Sequence, residues 1–125
     1  MSRLKHLEER VSSKPSGARI QKFVGRAFWS EDDATIDRAI IRADSLALDF
    51  MYGGYHYSAS LRQSGSEYTG TYTRATTYTG HASCRIFRDA NGNALLYGKW
   101  IEDGFTNSWC VELEAIDHFD DEHRA

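Results

Sequence analysis

The chain has 125 residues, 41% of them hydrophobic, and a net charge of −3. This length predicts a single domain, and this composition excludes disordered and fibrous classes. No apolar run approaches the ~20 residues of a membrane-spanning helix, and the charged N-terminus does not resemble a secretory signal. We therefore expect a cytoplasmic protein with no membrane partner and, given its net charge, no nucleic-acid partner.

The N-terminal residues 1–17 predict a short amphipathic helix and a linker. Leu4, Leu7 and Val11 lie on one helical face, and a segment that contains Pro15 then breaks the helix. The following residues up to Trp29 predict a first strand or an extended segment at the edge of the core. The β core is expected to span residues 18–116.

Residues 30–43 are compatible with either a helix or a strand. Ser30 followed by three acidic residues resembles a helix start, because the hydroxyl caps free N–H groups and acids suit the positive end of the helix dipole. Ile36, Ile40 and Ala43 then share one helical face. These features favour a second helix, although Ile36 and Ile40 also permit a strand.

From Leu46 onward, large apolar side chains alternate with small or polar ones, which is typical of strands with one buried face. The predicted strands cover residues 46–52, 55–63, 67–74, 77–88, 94–102 and 106–116. Short turns that contain glycine, asparagine or aspartate separate them, so neighbouring strands should pair antiparallel in a meander. The acidic tail, residues 117–125, is expected to fray.

The inward face of these strands is rich in tyrosine and tryptophan. Glycines at positions 70, 80 and 98 lie within strands, where glycine often marks the bends of a strongly curved sheet. A buried phenol must find a hydrogen-bond partner, so many inward tyrosines indicate a polar cavity that holds a ligand. Alternatively, the tyrosines span the wall and place their hydroxyls at the rim. The residues predicted to line the cavity are Tyr57, Tyr72, Tyr78, Trp100 and Trp109.

The sequence shows no catalytic or metal-binding constellation, and we expect neither a cofactor nor a metal. Cys84 and Cys110 are predicted to be unpaired thiols, the first inward and the second outward. The acidic tail with His118 and His123 is interpreted as a solvated end rather than a metal site. The segment 89–93 resembles the start of a calcium loop, but its glycine and its twelfth residue do not fit, so it is predicted to be a hairpin turn.

Several segments resemble the calycin group, the small lipocalin-like and avidin-like barrels. They are the Tyr-Thr-Gly-Thr-Tyr stretch at 68–72, the strand 80–87, the Asn91-Gly92 hairpin, and Gly98-Lys99-Trp100 before a last strand with Trp109. The resemblance implies an up-and-down antiparallel barrel. The glycine–tryptophan pair that opens lipocalins is absent in clean form, because Gly25 and Trp29 are four residues apart. The resemblance implies no particular ligand for this chain.

We therefore expect a mainly β protein, a lipocalin-like meander barrel that binds a small, partly apolar or aromatic molecule without chemistry. One alternative is an enzyme of the isomerase or dehydratase type on an α+β cone similar to the NTF2-like group. That enzyme would need an inward acid–base residue, for which only His56, His81 or Lys99 qualify. A further alternative is an oligomerising interaction module without a ligand, and homo-oligomerisation stays open.

Overall fold

The computed structural model describes residues 20–120, which form a closed antiparallel β-barrel of eight strands. The strands are β1 (Gln21–Trp29), β2 (Asp32–Ile41), β3 (Ser45–Tyr52), β4 (Tyr55–Ser64), β5 (Glu67–Arg74), β6 (Tyr78–Arg88), β7 (Ala94–Glu102) and β8 (Phe105–Ile116). Each strand pairs with the next, and β8 pairs back with β1, where Trp29 lies opposite Trp109. The up-and-down meander barrel expected from the sequence is confirmed.

Tight turns at one end of the barrel, here called the mouth, join β1 to β2, β3 to β4, β5 to β6 and β7 to β8. Gly53 and Gly54 both have positive φ, at 62° and 86°, as do Asp103 and Gly104, at 53° and 83°. Two successive residues with positive φ are the mark of the type I′ hairpin turn, whose twist matches that of the flanking strands. These turns fix the register of the strands that supply the mouth.

The opposite end of the barrel, here called the base, contains the turn at 89–93. The Asp89 side chain accepts hydrogen bonds from the backbone N–H groups of Asn91 at 2.8 Å and Asn93 at 3.0 Å. The carboxylate therefore stabilises the turn itself. The prediction of a hairpin turn rather than a calcium loop is confirmed.

The helix favoured for residues 30–43 is wrong, because this segment forms β2. A bulge explains the misleading pattern: Ile36 pairs with Phe50 and Arg38 with Asp49, which leaves Asp37 as an extra residue. An extra residue shifts by one position the set of side chains that point into the barrel. Ile36 and Ala39 are accordingly both buried, which interrupts strict alternation, whereas Ile40, which the predicted helix placed on one face with Ile36, is only partly buried.

The α+β cone is also wrong, since residues 20–120 form a closed barrel of strands. The predicted N-terminal helix, within 1–17, lies outside the described residues. Within the described part of the chain, no helix has the length and apolar character needed to cross a membrane. The expected fraying of the tail is wrong at its start, because Phe119 is 3% exposed and packs beneath the Arg38 guanidinium at 4.1 Å.

The barrel interior divides into two halves with different contents. The base half is mostly aliphatic and contains buried side chains such as Ile41, Leu46, Leu61, Leu96 and Leu113. The mouth half is filled mostly by aromatic rings. The base half therefore closes the barrel by packing.

Two of the glycines predicted to mark curvature lie where strands approach most closely. A Cβ on Gly70 would lie 2.1 Å from the Ser60 carbonyl oxygen, and one on Gly98 would lie 2.0 Å from that of Ser83. No side chain fits at such distances, so glycine lets the neighbouring backbone turn inward. This agrees with the expected role of these glycines in a strongly curved sheet.

The two cysteines are free, as predicted, with Cys84 buried and Cys110 partly buried. Burial, with a smaller effect of the Glu67 charge, raises the pKa of the Cys84 thiol to about 12. A neutral, buried thiol is a poor nucleophile. Cys84 is therefore a packing residue of the base half.

Candidate ligand-binding site

Aromatic side chains from β1, β3, β4, β5, β6, β7 and β8 meet in the mouth half of the barrel. We call this set the aromatic cluster: Trp29, Phe50, Tyr52, Tyr57, Tyr72, Tyr78, Trp100 and Trp109. Trp100 lies at its centre, stacked on Tyr72 with ring centroids 3.9 Å apart and 4.9 Å from the ring of Trp109. The cluster forms because the inward phase of each of these seven strands carries at least one ring in the mouth half of the barrel.

A glycine makes room for the ring of Tyr72. A Cβ on Gly80, directly across from Tyr72 on β6, would lie 2.4 Å from atoms of the Tyr72 ring. The ring therefore lies flat on the strand backbone, and its hydroxyl donates a 2.7 Å hydrogen bond to the Ile101 carbonyl oxygen. This buried phenol is satisfied by the barrel wall.

Glu102, at the mouth end of β7, is the polar centre of the cluster. Its carboxylate accepts hydrogen bonds from the Arg74 guanidinium, from the Tyr57 hydroxyl at 3.3 Å and from Trp100 Nε1 at 3.1 Å. Burial and the Glu102 charge both raise the pKa of Tyr57. The phenol is therefore a neutral donor that holds the carboxylate in place.

A cavity of about 320 Å³ lies between the aromatic cluster and the mouth. It is lined by Trp29, Ser30, Asp32, Phe50, Tyr52, Tyr57, Trp100, Glu102 and Asn107. A hydrogen bond between Tyr52 and Asp32 is the largest cause of the raised pKa of Tyr52. The cavity thus combines apolar ring surfaces with a small number of positioned polar groups, a combination typical of small-molecule sites.

One polar atom that belongs to a cavity-lining residue has no partner within the described part of the chain. Trp29 Nε1 is buried and makes no hydrogen bond there. Leaving a buried donor unpaired costs about 1–3 kcal/mol. Because this nitrogen is shielded from solvent, the unpaired donor belongs to the packed barrel wall and is not an exposed contact of the cavity.

The structure brings all five predicted site residues into the aromatic cluster, but only two of them line the cavity. Tyr57 and Trp100 contribute to its wall. Tyr72, Tyr78 and Trp109 pack behind the lining residues, and the Tyr78 hydroxyl accepts a 2.7 Å hydrogen bond from the Asp103 backbone N–H.

Sequence reasoning missed several lining residues, chiefly Trp29, Asp32, Tyr52 and Glu102. A usable signal was present, because each continues the inward phase of its strand to the mouth. Glu102, for example, follows Trp100 by two positions on β7. Polar residues at strand ends look solvent-exposed in a sequence, and only closure of the barrel directs them toward one opening.

The three residues considered for acid–base chemistry do not face the interior. His56 is exposed and lies 3.4 Å from Asp49 on the outer wall. His81 and Lys99 are exposed as well. Within residues 20–120, no group of three or more histidine, cysteine or acidic side chains is arranged to hold a metal ion. Part of the tail considered for metal binding lies outside the described residues.

Comparison with known proteins assigns no family. No protein-family model matches the sequence. No curated protein matches it either. The geometry of the cavity is therefore what supports a function for this chain.

Proposed function

We propose that this protein binds a small, partly apolar or aromatic molecule in the cavity at the barrel mouth and does not convert it chemically. The cavity itself carries this proposal: five of its lining residues are aromatic, and polar groups converge on it, while the base half is packed with side chains. Aromatic walls with a few positioned polar groups are what ligand sites provide.

The placement of titratable groups favours binding over catalysis. The Glu102 carboxylate accepts hydrogen bonds from three donors, and the Arg74 guanidinium forms an ion pair with it. The alternative enzyme needed an inward His56, His81 or Lys99, and these residues lie on the outer wall. The other lining carboxylate, Asp32, accepts a hydrogen bond from Tyr52.

We also propose that the chain is related to the calycin group and resides in the cytoplasm. The eight-stranded meander supports the relationship, since members of that group bind small molecules within up-and-down barrels. The two free thiols support a reducing compartment. The acidic residues at the mouth, among them Asp32 and Glu102, argue against a nucleic-acid partner.

A cavity-filling variant tests the proposed site. Asn107→Phe places a ring in the cavity, so we expect affinity for any ligand of the cavity to fall at least ~10-fold. Native mass spectrometry of freshly purified wild-type protein identifies a co-purified molecule. A thermal-shift screen of small aromatic and apolar compounds supplies ligands if none co-purifies, and calorimetry measures the affinities.

Ser108→Phe is the matched control, because it adds the same ring one position along β8, where side chains point outward. It should retain wild-type affinity. If Asn107→Phe and the wild type bind a ligand with equal affinity, that ligand does not occupy this cavity. If wild-type protein carries no small molecule and the screen yields no ligand, the proposal is contradicted.

A second candidate function, an oligomerising module, is supported by an apolar patch on the outer wall. Phe87 and Leu95 are direct neighbours on β6 and β7 and are 51% and 38% exposed, and nearby Tyr97 is 55% exposed. A groove of about 630 Å³ adjoins Phe87 and Leu95. Contiguous exposed apolar surface often marks a protein interface.

Charge placed in this patch tests the interface. If the patch pairs two copies of the chain, Tyr97→Lys should convert a dimer to a monomer, as measured by light scattering after size exclusion. Lys99→Tyr, on the same outer face of β7, is the control and should leave the mass unchanged. A monomeric wild-type protein at high concentration would contradict this second candidate.

A further inference from the structure

The lining of the mouth cavity is aromatic and acidic. We propose that the cavity binds a small organic cation, a substituted ammonium group whose apolar surface contacts the rings and whose charge is balanced mainly by Asp32, since Glu102 is already paired with Arg74. This inference rests on the proposed function and narrows it to one chemical class.

Most rings that line the cavity lie at different angles to one another; Phe50 and Tyr57 are parallel, but their ring centroids are 5.0 Å apart, which leaves no gap for a ligand between them. The Trp29 ring makes angles of 43° with Phe50, 39° with Tyr52 and 74° with Trp100. A flat aromatic ligand would need two parallel ring faces with a gap between them. Rings at several angles around one space suit a rounded group, and their negative faces attract a cation that has left water.

The polar lining is acidic. Asp32 and Glu102 both line the cavity, and none of its lining residues carries a basic side chain. Arg74 pairs with Glu102 but is not itself part of the lining. Asp32 accepts from the neutral Tyr52 and has no ion-pair partner within the described part of the chain. Asp32 therefore supplies the less compensated charge at the opening.

The negative charge of the lining favours a cation over an anion or a neutral molecule. An anion in the cavity would lie beside two carboxylates, and like charges at close range repel. A neutral molecule of the same shape would keep the ring contacts but gain no charge attraction from either carboxylate.

Three molecules of nearly equal shape test the inference. Choline carries a trimethylammonium group and a hydroxyl, 3,3-dimethylbutan-1-ol is its neutral isostere, and 3,3-dimethylbutanoate is an anion of similar size. Isothermal calorimetry and tryptophan fluorescence of the full chain should show that choline binds ~10-fold or more tightly than the neutral alcohol. The anion should bind most weakly.

Variants that remove one carboxylate charge show which residue causes the preference for a cation. Asp32→Asn should weaken choline binding several-fold and leave affinity for 3,3-dimethylbutan-1-ol unchanged, because only the charge term is removed. Asp33→Asn is the matched control: it removes the same charge from the next residue of β2, whose carboxylate contacts Arg26 on the outer wall. It should not alter either affinity.

Each remaining outcome overturns the inference. Equal affinities of choline and the neutral alcohol would retain a binding cavity but remove its charge preference, so the proposed function would survive alone. Tighter binding of the anion would reverse the assigned charge. If none of the three molecules binds, the inference is rejected, and the Asn107→Phe experiment decides separately whether the cavity binds any other molecule.

Discussion

Replacing Gly98 with alanine should destabilise the barrel by about 3 kcal/mol or more, because the added methyl group has no space. Its Cβ would lie 2.0 Å from the Ser83 carbonyl oxygen and 2.5 Å from the Cys84 Cα. Both atoms belong to the backbone of β6 and cannot move without breaking the β6–β7 pairing. Urea unfolding followed by circular dichroism measures the loss.

A turn glycine separates this steric effect from the general effect of removing a glycine. Gly65 has a φ of +66° and no atom within 4 Å of an added Cβ, so Gly65→Ala should cost only about 1 kcal/mol. Insoluble Gly98→Ala alongside soluble Gly65→Ala would support the expectation. Similar stabilities for both variants would show that β6 and β7 do not approach as closely as described.

Replacing Trp100 with alanine should also reduce stability strongly, by about 3–5 kcal/mol. Trp100 is 2% exposed and contacts Trp29, Phe50, Tyr57, Tyr72 and Trp109. Its removal leaves a void at the centre of the aromatic cluster and takes one donor from Glu102. The measurement is again the free energy of unfolding in urea.

Phe105→Ala is the control for Trp100→Ala. Phe105 is 73% exposed at the mouth, so its removal should change the free energy of unfolding by about 0.5 kcal/mol or less. A loss below about 1.5 kcal/mol in Trp100→Ala would contradict the central position of this ring. Such a result would also weaken the cavity, since Trp100 forms part of its wall.

Much of the barrel could be predicted from the chain because strand alternation and turn chemistry are local properties. The strands from β3 to β8 begin and end within one residue of their predicted bounds. The Gly53-Gly54 and Asp103-Gly104 pairs identify type I′ turns on their own. Six consecutive strands with short turns leave few arrangements besides a meander.

A helix was favoured over a strand at β2 because the pattern of this segment depends on its partner strands. The extra residue at Asp37 is accommodated where β2 pairs with both β1 and β3, and it shifts the inward phase from Ile36 to Ala39. A regular strand would have kept strict alternation. The sequence therefore resembled a helical face at a position where the structure has a bulge.

The sequence predicted the aromatic character of the candidate site but not which residues line it. The tyrosines and tryptophans of the inward phase indicated an aromatic interior, and the structure places all five predicted residues there. Which of them line the cavity depends on height within the barrel. Tyr72 lies flat over Gly80, whereas Trp29, from a strand that sequence reasoning left uncertain, reaches the opening.

The sequence by itself determined that this chain forms an antiparallel meander with an aromatic inward face, because alternation, turn residues and strand glycines act between near neighbours. Tertiary structure alone decided that the barrel closes through β1 and β8, that the rings collect in the mouth half, and that Asp32 and Glu102 share one cavity. These features depend on the register between strands distant in the chain, which no local pattern encodes.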